Sequence, residues 1–165
     1  MTTRLTLICA APTSANRIFA FPADEPAEPK ALAKLPALAT RLPHADRVFT
    51  SPSLAARQTA EALSLSATIE PLLRDCDYGR WTGRTLDALQ AGAPASVLEW
   101  LQDPAAAPHG GESVEATIAR TRDWLTALED GQILAVTHAP VIRAAIIHAL
   151  FRTTRKALYA EGSRI

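Results

Sequence analysis

The sequence lacks the features that mark several specialised classes of protein. It has two cysteines among 165 residues, too few to crosslink a chain of this length, and a reducing compartment leaves such thiols free. No apolar run approaches the ~20 residues that cross a bilayer. Basic and acidic residues number 17 each, so no field of one sign attracts nucleic acid or an anionic membrane. We therefore expect a cytoplasmic protein that binds neither.

The sequence also shows no pattern of metal ligands. Its four histidines and two cysteines are scattered, without the spacing that a metal site requires, so we expect no metal and no other cofactor. The composition is 48% hydrophobic, which is enough for a core of ordinary size. We predict one domain over residues 1–165, and its oligomeric state stays open.

Strand-like and helix-like segments alternate along the chain. Strands are predicted at 5–10, 46–50, near 67–70 and at 132–137, and helices at 30–42, 54–65, 113–129 and 139–151. Pro36 is expected to kink the first of these helices. This alternation predicts an α/β fold, a three-layer α/β/α sandwich around a mainly parallel sheet.

Ligands of an open parallel sheet bind at the carboxyl ends of the strands, where loops and helix N-termini meet. The residues that follow the predicted strands are 9–13, 50–57, and the pair His138 and Ala139. Of these, only His138 is an obvious catalytic type. The pattern predicts a small-ligand site close to this histidine.

Four segments resemble the later blocks of a known family. They are VFTSPSLAARQTAEAL, LLRDCDYGRWTGRTLDAL, PHGGESVEATIAR and ILAVTHAPVIRAAI. In order and spacing the chain resembles the histidine-phosphatase superfamily, the phosphoglycerate-mutase-like proteins, over almost its whole length. It is most similar to the small bacterial phosphatases that include the α-ribazole phosphatases. The resemblance implies a phosphoglycerate-mutase-like fold.

The resemblance also implies a reaction, and the chain departs from the residues that perform it. In the family the first strand ends in Arg-His-Gly, whose histidine takes the phosphoryl group while a second histidine and two arginines hold its oxygens. Cys9 stands at the first arginine, Ala10 at the nucleophilic histidine and Ala11 at the glycine. Ala55 stands at the second arginine. The nucleophile and both phosphate-binding arginines are therefore missing together.

Other positions of the family pattern are kept. Thr13 matches a frequent pocket threonine, Asp75 stands at the acid that protonates the leaving group, and His138 at the second histidine. Arg57 falls on a variable position beside the second arginine. Without an imidazole nucleophile, phosphate-ester hydrolysis lacks its attacking group, and this reaction is among the slowest known without catalysis.

These departures predict a catalytically inactive pseudo histidine phosphatase that acts as a ligand-binding or regulatory module. We assign no catalytic residue. The predicted vestigial pocket consists of Cys9, Ala10, Thr13, Ala55, Asp75 and His138. A small anionic or phosphorylated ligand is predicted to bind weakly through His138, Thr13 and Arg57. The alternative is a phosphatase or other hydrolase with residual or altered activity that uses Cys9 or a water activated by His138.

Several residues have two interpretations at this stage. Cys9 is either a thiolate nucleophile or, as we expect, a small buried hydrophobe. Asp75 is either a general acid or, as we favour, a turn former. His138 is either a functional cation or acid-base group, or an inherited residue without a role. His109 is either a substitute cation or a solvated loop residue, and we favour the loop.

Overall fold

The computed structural model describes the backbone of residues 3–161 and the side chains of residues 3–151. Within these residues four strands form one sheet in the order β1-β4-β2-β3, with every neighbouring pair parallel. The strands are β1 (Arg4–Cys9), β2 (Arg47–Thr50), β3 (Thr68–Ile69) and β4 (Gln132–Thr137). The helices are α1 (Ser14–Arg17), α2 (Pro29–Leu32), α3 (Pro36–Ala39), α4 (Leu54–Ala62), α5 (Leu86–Gly92), α6 (Pro94–Gln102), α7 (Val114–Ala127) and α8 (Ala139–Glu161).

The sheet is covered on both faces, and β4 shows why. Its side chains alternate between the faces, as in any strand. Leu134 and Val136 pack with Ala56 and Ala60 of α4 on one face. Ala135 packs with Trp124 of α7 and Val141 of α8 on the other. The predicted three-layer α/β/α fold with a parallel sheet is confirmed.

The predicted helix over residues 30–42 is wrong. The segment forms two separate single turns, α2 and α3, and each begins with a proline at its first position. Proline suits a helix start because its missing N–H has no partner there, but inside a helix it breaks the hydrogen-bond ladder. Pro36 therefore ends one turn and begins another.

Two further boundaries differ from the prediction. The last helix does not end at Phe151 but continues to Glu161. Two further helices, α5 and α6, follow Thr85, and neither is among the helices predicted above. Among the described residues, no helix is both long enough and apolar enough to span a bilayer.

Candidate functional site

A cavity of about 550 Å³ lies at the carboxyl ends of β1, β2 and β4. All six residues of the predicted vestigial pocket line it: Cys9, Ala10, Thr13, Ala55, Asp75 and His138. Arg57 is not among the lining residues, because it lies on the exposed side of α4. Within residues 3–151, no three His, Cys, Asp or Glu side chains are placed to hold a metal.

One side of the cavity consists of small side chains, and we call Cys9, Ala10, Ala11 and Ala55 the β1 wall. The amide of Ala10 donates to the Thr137 carbonyl at 2.7 Å, which continues the pairing of β1 with β4. Ala11 and Ala55 are buried against each other in a cluster with Ala27. The β1 wall therefore offers methyl groups and one thiol, with no charged side chain.

The structure corrects one interpretation of Cys9 and bears on the other. The residue is exposed at the cavity, so its assignment as a small buried hydrophobe is wrong. Partial desolvation of the sulfur and the negative charge of Asp75 raise the pKa of the Cys9 thiol. A raised pKa disfavours the thiolate, which is the nucleophilic form of cysteine.

His138 lies directly after β4, and both of its ring nitrogens have neighbours. Nε2 is 2.9 Å from the Oγ of Ser51 and 3.0 Å from the Oγ of Ser53. Nδ1 lies 3.5 Å from Oδ2 of Asp75. Burial lowers the pKa of His138 below its ordinary 6.5, although the charge of Asp75 opposes the shift. The neutral imidazole is therefore the main form at neutral pH.

The opposite side of the cavity is the acid loop, which we define as residues 74–79. Oδ1 of Asp75 accepts a hydrogen bond from the amide of Cys76 at 2.8 Å, while Oδ2 faces His138. Asp75 thus forms a local turn and also presents its carboxyl group to the histidine. Burial raises the pKa of Asp75 despite the nearby His138.

A buried ion pair holds the acid loop in place. Arg120 binds both carboxylate oxygens of Glu112, at 2.8 and 2.7 Å. Its Nη1 also donates to the carbonyls of Leu72 and Arg74, at 2.6 and 3.1 Å. Burial alone would raise the pKa of Glu112, but the hydrogen bond and charge of Arg120 outweigh burial and lower it. The loop is therefore anchored to α7, which carries Arg120.

Aromatic packing supports the acid loop from below. His109 is fully buried, with its ring centre 6.0 Å from that of Tyr78 and 5.2 Å from that of Trp81. Its Nδ1 accepts a hydrogen bond from the Gly111 amide at 3.0 Å. Burial lowers the pKa of His109. The expectation of a solvated loop histidine is therefore wrong.

Several lining residues were not singled out from the sequence, among them Asn16, Asp24, Ser53 and Arg143. Oδ1 of Asp24 accepts from the amide of Leu54 at 2.7 Å, so a carboxylate lies at the N-terminus of α4. Ser53 caps α4 by accepting from the Ala56 amide at 3.3 Å. Its position in the segment that follows β2 was the available signal. Asp24 gave no signal, because it lies in a proline-rich loop.

The chain has clear relatives. A family model described as the histidine phosphatase superfamily (branch 1) matches residues 5–160. A glucosyl-3-phosphoglycerate phosphatase from Mycolicibacterium vanbaalenii is 33% identical over 88 residues, which are 47% of this chain and 39% of that protein. The chain thus matches well under two thirds of the length of this curated relative.

Solved structures cover more of the chain. A phosphoglycerate mutase from Thermus thermophilus has a TM-score of 0.73 and 30% identity, over 85% of this chain and 80% of that one. A mycobacterial hydrolase has a TM-score of 0.69 and 26% identity, over 84% of this chain and 76% of that one.

Proposed function

The chain belongs to the histidine phosphatase superfamily, and we propose that it is a member that no longer transfers phosphoryl groups through histidine. In this proposal the protein binds a small molecule in the cavity at the carboxyl edge of the sheet, as a ligand-binding or regulatory module. The relatives named above are a phosphatase and a mutase, so this chain would differ from them in chemistry while sharing their fold.

The observation that carries the proposal is the β1 wall. Ala10 lines the cavity at the position that the family resemblance assigns to the nucleophilic histidine. Among the described residues that line the cavity, His138 is the one imidazole. Its Nε2 faces two serine hydroxyls and its Nδ1 faces a carboxyl group, so neither nitrogen is free to attack phosphorus.

The charges around the cavity also disfavour a phosphate group. Among the described residues, three carboxyl groups line it, those of Asp24, Asp75 and Asp77, against two arginines, Arg74 and Arg143. Arg74 is already paired with Glu112 at 3.3 Å. Each charged hydrogen bond is worth roughly 1.5 to 3 kcal/mol, so lacking two of them weakens phosphate binding by ~10² to ~10⁴-fold.

The N-terminus of α4 is occupied as well. The amide groups and dipole at the start of a helix attract anions, and they are a common phosphate site. In this chain the carboxylate of Asp24 binds the Leu54 amide there. An incoming phosphate would have to displace an anion that belongs to the protein itself.

The alternative of an altered hydrolase acting through Cys9 has less support, because the thiolate is disfavoured. A water activated by His138 would have to compete with Ser51 and Ser53 for Nε2. The test is a phosphatase assay of the purified protein with para-nitrophenyl phosphate. We expect no turnover above background. The proposal would be contradicted if the protein turned over this substrate and if Cys9→Ser or His138→Ala abolished the turnover. A separate thermal-shift screen of small anions and neutral metabolites would identify the ligand.

A further inference from the structure

Three side chains of the cavity form a chain of contacts, and one of them, Ser53, has no role in the lost phosphatase chemistry. The Oγ of Ser53 is 3.0 Å from Nε2 of His138, and Nδ1 of the same ring is 3.5 Å from Oδ2 of Asp75. All three residues line the cavity. A hydroxyl in reach of an imidazole that a carboxyl group orients is the general arrangement of an activated serine nucleophile.

The two serines that contact His138 differ in their access to the cavity. Ser51 is fully buried and does not line it; its hydroxyl contacts Nε2 of His138 and accepts a hydrogen bond from the Ser53 amide at 3.3 Å. Ser53 is partly exposed and does line it. The Ala56 amide donates to the Oγ of Ser53 at 3.3 Å, which leaves the hydroxyl proton to point at Nε2. Ser53 is therefore the hydroxyl that a ligand can reach.

We propose that the cavity hydrolyses small uncharged carboxylic esters, with Ser53 as nucleophile, His138 as general base and Asp75 as the group that orients the imidazole. The Oγ of Ser53 bonds to the carbonyl carbon while its proton passes to Nε2. The ester C–O bond then breaks, and the alcohol leaves with that proton. Water, deprotonated by the same nitrogen, releases the acid and restores the serine.

The class of substrate follows from the walls of the cavity. The β1 wall presents methyl groups, and Ala139 and Pro140 add further apolar surface beside His138. The carboxyl groups of Asp24, Asp75 and Asp77 disfavour anions, and therefore phosphate esters, but not neutral esters. A volume of about 550 Å³ admits a compact acyl group. This inference goes beyond the proposed function: it keeps the cavity and the loss of phosphoryl transfer, and it adds a reaction to the binding role.

The test uses para-nitrophenyl acetate for turnover and a fluorophosphonate probe for covalent labelling, with the adduct located by peptide mass spectrometry. We expect the label on Ser53. Ser53→Ala should lower turnover by about 10²-fold or more, the scale of a lost general-base step. The rate should rise with pH through a midpoint below 6.5, because burial lowers the pKa of His138.

Two variants separate chemistry from folding. Ser113→Ala removes a matching helix cap on α7, whose Oγ accepts from the Ala116 amide at 3.1 Å, and it should keep full turnover. Ser53→Asn keeps a cap acceptor on α4 and should be folded but inactive. Labelling of Cys9 instead of Ser53, or equal turnover in the natural protein and Ser53→Asn, would overturn the inference. A negative ester assay would not contradict the proposed loss of phosphatase activity. Only turnover of phosphate esters would contradict that proposal.

Discussion

The acid loop and the β1 wall face each other across one cavity, and different interactions hold them in place. The acid loop is fixed by the buried Arg120–Glu112 pair and rests on the aromatic packing of His109. The β1 wall consists of Cys9 and three alanines, which are held by backbone hydrogen bonds, by one bond from the Ala11 amide to Oγ1 of Thr59 and by apolar packing. Side chains that anchor a loop contribute to folding whether or not a ligand binds, whereas side chains that bind phosphate contribute only when phosphate is present. A chain can therefore lose the second kind and keep its fold.

The largest expected effect comes from the anchor of the acid loop. Arg120→Ala should lower the free energy of unfolding by about 3 kcal/mol, the lower end for breaking a buried ion pair, because it removes the bidentate partner of Glu112 and leaves only the half-exposed Arg74, at 3.3 Å. Arg122→Ala is the matched control, since Arg122 lies two residues away in an exposed pair with Asp123 and should cost less than about 1 kcal/mol. Urea denaturation measures both. Equal losses in the two variants would mean that the acid loop is not anchored in this way.

A smaller loss is expected at Gly79, where the acid loop meets the backbone of residues 109–111. Gly79 has a φ of +46°, and an added Cβ would collide with the carbonyl oxygen of His109. Gly83 has a φ of +77° and open space around it. Gly79→Ala should therefore lower the free energy of unfolding by about 1 to 3 kcal/mol more than Gly83→Ala. Both substitutions place an alanine at a left-handed φ, but only the one at Gly79 also forces its Cβ against neighbouring backbone atoms. Thermal and urea unfolding of the pair would show the difference, and identical stabilities would contradict the close approach.

The pH dependence of stability tests the support that buried His109 gives to the acid loop. His109 has a pKa lowered by burial, so the unfolded chain takes up a proton below pH 6.5 that the folded chain does not. Stability should therefore fall as the pH falls below 6.5, by up to about 1.4 kcal/mol per pH unit from this group, until the pH passes the folded pKa. His109→Asn keeps an acceptor for the Gly111 amide and should flatten this slope. Urea midpoints at pH 7.5 and 5.5 provide the measurement, and an unchanged slope in the variant would exclude His109 as the source.

The smallest effect is expected at Arg57, which lies outside the cavity. Arg57→Ala should change stability by less than about 0.5 kcal/mol, as for most exposed positions. It should also leave the affinity of any ligand found by the thermal-shift screen unchanged. A weakened affinity would show that the ligand extends beyond the cavity along α4, and would support the ligand-binding role predicted for Arg57 from the sequence.

The sequence was sufficient for the sheet because each strand carries its own signal. The apolar run of residues 132–137 predicted β4 with its observed ends, and the family resemblance placed Ala10, Ala55, Asp75 and His138 in one cleft, as the structure has them. Both rest on patterns that are local or aligned along the chain. The prediction of one helix over residues 30–42 was wrong because its leucines have helical spacing but Pro36 interrupts the helix.

The contacts that define the site could not be predicted from local patterns in the sequence. Ser53 and His138 are 85 residues apart, and Asp24 lies 30 residues before the helix that it caps. Pairings at such separations depend on the folded topology, and no periodicity or motif in one sequence encodes them. The burial of His109 is a similar case, because the rings of Tyr78 and Trp81 that cover it come from another loop.

Calorimetric titration with inorganic phosphate and vanadate tests the central claim, that the β1 wall has lost the phosphate machinery while the rest of the cavity remains. The comparison is between the natural protein and the variant Cys9→Arg, Ala10→His, Ala11→Gly and Ala55→Arg, with circular dichroism to show that the variant is folded. We expect no saturable binding of phosphate or vanadate by the natural protein. The affinity of the variant should be ~10² to ~10⁴-fold higher, because Thr13, Asp75 and His138 already line the cavity. Tight binding by the natural protein, or a folded variant that gains nothing, would contradict the account.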